Sequence, residues 1–112
     1  MERSATHVVL MTAPDEDTAV GIVRTVVEER LAACGNVLPG VRSIYRWQQE
    51  VQEDREVLVL FKTVERAVPR LVARIEELHP YDVPEALALP VHAGSAAYLR
   101  WVAANADGQG PS

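Results

Sequence analysis

Apolar residues fall along the chain in two rhythms, and the change from one to the other lays out the elements. His7 to Ala13 (HVVLMTA) is a nearly unbroken β-favouring run, the pattern of a strand covered on both faces and therefore central in its sheet. Pro14 and Asp15 break it. Asp15, Glu16 and Asp17 then supply the acids that a helix N-terminus favours, because its N–H groups are unpaired and its dipole end is positive. Ala19, Ile22, Val23, Val26, Val27 and Leu31 follow at three-and-four spacing, so the predicted helix lays one apolar stripe on the sheet and leaves Arg24, Glu28 and Glu29 mainly to solvent.

Asn36 to Trp47 returns to strand character but is interrupted by Pro39 and Gly40, which suits an edge strand with a bend or bulge. Beyond the interruption Val41, Ser43, Tyr45 and Trp47 share one face and Arg42, Ile44 and Arg46 the other. Gln48 to Glu56 is polar except for Val51, and Val57 to Thr63 (VLVLFKT) is a second continuous apolar run, so the two segments form a long hairpin whose second arm is central. Thr63 is the expected cap of a second helix with a stripe through Ala67 or Val68, Leu71, Ile75 and Leu78. Pro69 either delays that helix or makes its first turn irregular. His79 before Pro80 ends it. A last strand, Glu85 to Val91, lies between Pro84 and Pro90 and suits the other edge. Gly94 and Ser95 introduce a short helix carrying Tyr98, Leu99, Trp101 and Val102, and ADGQGPS reads as a disordered tail, leaving an ordered core over residues 6–105.

Strand, helix, strand, strand, helix, strand and a terminal helix make an α+β ferredoxin-like sandwich, βαββαβ with one antiparallel sheet and both main helices on one face. The inner strands are apolar on both sides, so the face away from the helices exposes a patch in a monomer, and such patches mark interfaces. The domain is expected to oligomerise. A length of 112 residues fits one domain, and 48% apolar with 24% charged residues excludes wholesale disorder. The net charge of −5 argues against a surface that tracks nucleic-acid phosphates. The apolar run before Thr12 is shorter than a signal-peptide core or a bilayer span, so a cytoplasmic protein without a membrane partner is expected. Cys34 is the only cysteine, which leaves no disulfide within the chain, no zinc ribbon and no CxxC.

TAPDEDTA, RLAACGNVLPGVRSIYRW, EDREVLVLFKT, HPYDVPEALALPV and YLRWV, in register over residues 7–102, resemble the CutA family, which is associated with divalent cation tolerance and copper binding. The resemblance implies a ferredoxin-like protomer assembled as a homotrimer, similar in architecture to the PII signalling proteins, with no catalytic activity. It requires no cofactor; copper or another divalent cation is the implied ligand. Two positions depart from the family pattern. Gln49 and Glu50 stand where W-x-G-K has glycine and lysine, which puts the turn type in question, and Gly35 stands where valine often precedes the asparagine.

Two roles are open for each candidate residue. Cys34 matches the family's AAC-x-N motif; as a thiolate it binds a soft ion such as copper, and otherwise it is a small buried apolar residue. His79 is an exposed imidazole at a helix end, where the dipole favours a cation, or else a cap on the last carbonyls. Tyr81, Asp82 and Glu85 of HPYDVPE, with Lys62, line a cleft between subunits or simply fix a turn, and Tyr45, Trp47 and Trp101 are interface aromatics. Glu53 to Glu56 reads as a solvated hairpin arm. No HxH, HExxH or CxxC spacing converges three ligands, so tight metal binding needs two or more subunits. An acylphosphatase-like enzyme would need its asparagine after PGVRSIYR, whereas Asn36 precedes it. An RNA-recognition module would need aromatics on both inner strands, where Phe61 stands alone. The alternative that remains is a PII-like sensor binding a nucleotide or other small anion in the inter-subunit cleft.

Overall fold

The computed structural model describes residues 2–3 and 5–108. Its centre is an antiparallel pair, β2 (Thr6–Ala13) with the distal half of β4 (Glu50–Val64), in register from Thr6 opposite Val64 to Ala13 opposite Val57. β3 (Cys34–Trp47) flanks β4 and β5 (Leu87–Pro90) flanks β2, giving the order β3-β4-β2-β5. The two continuous apolar runs are thus the inner strands and the two proline-interrupted segments the edges. Val9, Met11, Ala13, Val57, Val59 and Phe61 point to one side and are buried beneath α1 (Glu16–Glu28) and α2 (Val68–Leu78), which contribute Ala19, Ile22, Val26, Leu71 and Ile75 to the same core. This is the ferredoxin-like arrangement.

Local chemistry sets the ends of these elements. The Asp15 carboxylate caps α1 by accepting from the Thr18 N–H at 2.8 Å, a bond that holds its pKa below the ordinary carboxylate value. Arg74 grips Glu29 with two parallel bonds of 2.9 Å and so ties α2 to the end of α1. The edge strand β3 shifts register between Leu38 and Val41, with Gly40 at φ +87 supplying the backbone that a bulge requires. At the hairpin tip Gln48 and Gln49 have φ of 50 and 71, so the two-residue turn has positive φ at both positions even without the family's glycine.

The sequence reading is corrected at three places. Thr63 does not cap a helix: β4 runs on to Val64, the buried Thr63 hydroxyl donates to the Leu31 carbonyl at 2.7 Å, and a single 3-10 turn (Glu65–Ala67) precedes α2, whose first turn accommodates Pro69. A two-stranded ribbon, β1 (Glu2–Arg3) with β6 (Ala93–Gly94), lies outside the predicted order, since two-residue strands leave no periodicity to read. The start of the supposed tail is packed. After α3 (Ala96–Asn105), capped by Ser95, Ala106 is buried with Ala33, Val64, Ala67 and Val102 in a second small core. Arg30, at φ 62, donates to Asp107 at 3.0 Å and to the Ala104 carbonyl at 2.6 Å, and its own carbonyl accepts from the Gly108 N–H at 3.1 Å. Residues 109–112 of that segment lie outside the described residues.

Gly35 has a steric reason. A Cβ there would meet the Val23 methyls at 2.9 and 3.0 Å and the Phe61 ring at 3.2 Å, so α1 sits closer to β3 than a side chain allows. Gly35→Val is therefore expected to destabilise the fold by about 1–3 kcal/mol in denaturant titrations. Adding Val23→Ala should recover part of that loss; a double variant no more stable than Gly35→Val alone contradicts this account.

Candidate functional site

The face of the sheet away from α1 and α2 carries the candidate chemistry, and the strand register fixes who meets whom. Residues directly opposite in a ladder share a face. Cys34 is opposite Lys62, and Lys62 opposite Val8; Asn36, Leu60, Leu10 and Leu87 form the next row, and Leu38, Leu58 and Thr12 the row after that. Leu38, Leu87 and Leu89 are 39%, 56% and 49% exposed, so this face is a broad apolar surface with polar groups at its two ends.

At the first end, Cys34 is half-buried with its sulfur 3.7 Å from the Tyr98 hydroxyl, and that contact raises the Tyr98 phenol above its ordinary value. Lys62 donates to the Asn36 side-chain oxygen, and Trp101 stacks on Tyr98 with ring centroids 5.6 Å apart. At the other end, HPYDVPE folds over the edge of the sheet. The step from Val8 to Thr12 spans four residues, about 14 Å at roughly 3.4 Å per residue, so one protomer does not bring Cys34 and His79 to a common ion. Among the described residues no group of three or more His, Cys, Asp or Glu side chains is placed to hold a metal.

His79 differs from its expected role. It is 7% exposed, not an open imidazole, and both ring nitrogens are engaged: the Tyr81 N–H donates to Nδ1 at 3.1 Å, which places the proton on Nε2, and Nε2 donates to the Thr12 carbonyl at 2.7 Å. It therefore joins the turn to the sheet. The helix-end carbonyls receive only its backbone N–H, bonded to Ile75.

Tyr81, Asp82 and Glu85, expected in a cleft between subunits, line a cleft of about 800 Å³ within one protomer, together with Thr12, Tyr45, Trp47, Asp54 and Glu56. Lys62 lies at the opposite end beside Cys34 and is not part of it. Glu56 and Asp54, read as a solvated arm, are cleft residues; Glu56 is only 8% exposed. The signal that identifies Glu56 is parity, since it is in phase with Leu58 and Leu60 and must share their face. The Tyr81 hydroxyl donates to Glu56 at 2.8 Å and the Tyr45 hydroxyl to Asp54. Burial, and then the Glu56 carboxylate, push the Tyr81 phenol well above its ordinary 10.0; the bond to Asp54 pushes Tyr45 up as well.

Because the folded state holds the Tyr81 proton more tightly than the unfolded chain, its contribution to stability is full below pH 10.0 and is lost as pH rises beyond that towards the raised folded value. Tyr81→Phe should lower stability by about 1 kcal/mol at pH 8, less than the roughly 1.5–3 kcal/mol of a buried bond to a charged group because the ring is partly exposed. It should also flatten the alkaline decline in denaturation midpoints; an unchanged decline contradicts the assignment.

Residues 7–105 match the family described as CutA1 divalent ion tolerance protein. The "Divalent-cation tolerance protein CutA" of Thermus thermophilus is 54% identical over 99 residues, 88% of this chain and 96% of that protein. The mouse "Protein CutA" is 48% identical over 82% of this chain, and there the chain spans about half (52%) of the relative's length. A crystal structure of CutA from Xylella fastidiosa superposes with a TM-score of 0.90 at 40% identity, covering 93% of this chain and all of that one. The family extends across compartments: a relative in Arabidopsis thaliana is named chloroplastic and an Archaeoglobus fulgidus structure is described as periplasmic, so the expected cytoplasmic location does not follow from membership. No described helix is long and apolar enough to cross a membrane. With the family model matched over residues 7–105 and a relative 54% identical over 88% of this chain, the chain belongs to the CutA1 divalent ion tolerance protein family.

Proposed function

We propose that the protein acts as a homotrimeric, non-enzymatic binder of metal ions of the divalent cation tolerance type, with copper taken by Cys34 at a site completed by neighbouring subunits. The observation that carries this reading is the uncovered apolar sheet face, with Val8, Leu10, Leu58 and Leu60 at its centre, Leu38, Leu87 and Leu89 towards its edges, and a half-buried thiol at its margin. A second copy laid on that face buries the leucines and carries further donors towards Cys34. Tyr45, Trp47 and Trp101, all exposed, flank the same face and extend the contact. A single thiol offers too few donors for a tight site, which is why assembly and metal binding are one proposal.

Soft thiolate favours copper over magnesium and calcium, which take oxygen shells. His79 is left out as a ligand, since its one free lone pair, on Nδ1, already accepts from the Tyr81 N–H, and ligation through Nε2 would break the bond to Thr12 as well. The PII-like alternative of a bound nucleotide or small anion draws support only from Lys62, because the cleft at Tyr81 is walled by carboxylates.

Light scattering is expected to give three times 12.3 kDa, or 36.9 kDa; a monomer at micromolar concentration removes the proposed site. On the trimer, Cys34→Ser should lower copper(I) affinity at least tenfold by competition titration, while His79→Ala should leave copper affinity unaltered and cost about 1–3 kcal/mol of stability through the unpaired Thr12 carbonyl. Copper affinity that falls with His79→Ala and not with Cys34→Ser reverses the assignment.

A further inference from the structure

The Arg30 clasp closes over two neighbouring residues that can react with each other. Asp107 is followed by Gly108, which makes the only Asp-Gly step in a sequence that has no Asn-Gly step. We infer that Asp107–Gly108 is a site of spontaneous isomerisation to isoaspartate, kept unreactive while Arg30 grips the segment after α3 and released when that grip opens.

The reaction needs no partner but water. The Gly108 nitrogen gives up its proton and bonds to Cγ of Asp107, a carboxyl oxygen leaves as water, and a five-membered succinimide results. Water then opens the ring at one of its two carbonyls. Opening at Cγ restores aspartate; opening at the main-chain carbonyl leaves the chain running through Cβ, which is isoaspartate, with the same atoms as before. Glycine is the residue that favours ring closure most, because no Cβ shields its nitrogen and its backbone turns freely.

Three hydrogen bonds oppose this. The Gly108 N–H donates to the Arg30 carbonyl at 3.1 Å, so the attacking nitrogen keeps its proton. The Arg30 Nε donates to Oδ2 of Asp107 at 3.0 Å, and a carboxylate paired with a guanidinium resists losing an oxygen as water. The Arg66 Nε donates to the Asp107 carbonyl at 3.2 Å, so main chain and side chain of the aspartate are held by different arginines and cannot swing together into the ring. Gly108 is itself buried.

The fold depends on both members of the reactive pair. Gly108 has φ +72, in the left-handed region that glycine adopts freely, and Asp107 supplies the carboxylate of the clasp. The fastening and the hazard are therefore the same two residues. Isoaspartate adds a carbon to the main chain and shifts Gly108 away from the Arg30 carbonyl, so a clasp that has opened and reacted does not close again in its original form.

Ageing the folded protein near neutral pH and mapping the tryptic peptide that begins at Trp101 tests the inference. Isoaspartate separates from aspartate by chromatography at equal mass, and the succinimide weighs one water less. The free peptide WVAANADGQGPS sets the unprotected rate, and the native protein should isomerise more slowly than it by about tenfold or more. Arg30→Gly removes the guanidinium while suiting the backbone at φ 62; it should move most of the way to the peptide's rate with circular dichroism and scattering mass unchanged. Arg30→Lys, which keeps one cationic donor, should fall between the two. His79→Ala, destabilised at the other end of the sheet, should stay as slow as the native protein, which separates local opening from a general loss of stability. A native protein that isomerises at the peptide's rate, Arg30 variants no faster than the native protein, or His79→Ala as fast as Arg30→Gly would each overturn the inference.

Discussion

Everything in this molecule depends on the register of β2 against β4. The eight opposed pairs from Thr6–Val64 to Ala13–Val57 put Val9, Met11, Val59 and Phe61 under the helices and, by the strict alternation of a strand, put Val8, Leu10, Leu58 and Leu60 on the other side. A slip of one residue would exchange the two sets. Neither face tolerates the exchange quietly: the helix side would receive Lys62 and Glu56, and the outer side would lose its continuous apolar rows. The two ends of the outer face are set by the same ladder, with Cys34 delivered to one row and Thr12, the anchor of His79, to another.

That separation divides the chemistry. The thiol end carries a soft sulfur, a lysine hydrogen-bonded to Asn36 and two stacked aromatics; the turn end is acidic, aromatic and enclosed on one side by HPYDVPE. One sheet therefore presents two chemically different ends, and the apolar rows between them keep the two apart within a protomer. His79 is central to the second surface without being available to any ligand, since its ring is the hinge pin between turn and strand.

Much of the fold was legible because its signals are local and repetitive. Continuous apolar runs marked the inner strands, Pro39–Gly40 and Pro84 marked the edges, and Asp15 and Ser95 marked helix starts through capping bonds that the structure contains. The site was less legible because its members are linked by register and not by spacing. Tyr81 and Glu56 are 25 residues apart and meet only once β4 and the turn are in place. His79 was misjudged as exposed because the sequence carries no mark of the Thr12 carbonyl that receives it. The Thr63 cap failed for a related reason: its hydroxyl had a buried partner in Leu31, and the sheet kept it in extended conformation against its local preference for a helix start.

The clasp of Arg30 on the segment after α3 bears on the order in which the domain can be completed during synthesis. The turn after α1 leaves the ribosome early, yet its left-handed arginine finds its partners in Ala104, Asp107 and Gly108, which are among the last residues of the domain to be made. Through most of translation the first helix can lie on a growing sheet, but the second small core around Val102 and Ala106 stays open and the arginine stays solvated. The nascent domain thus waits in a nearly finished state, and closure of the clasp marks the moment at which its second core is sealed.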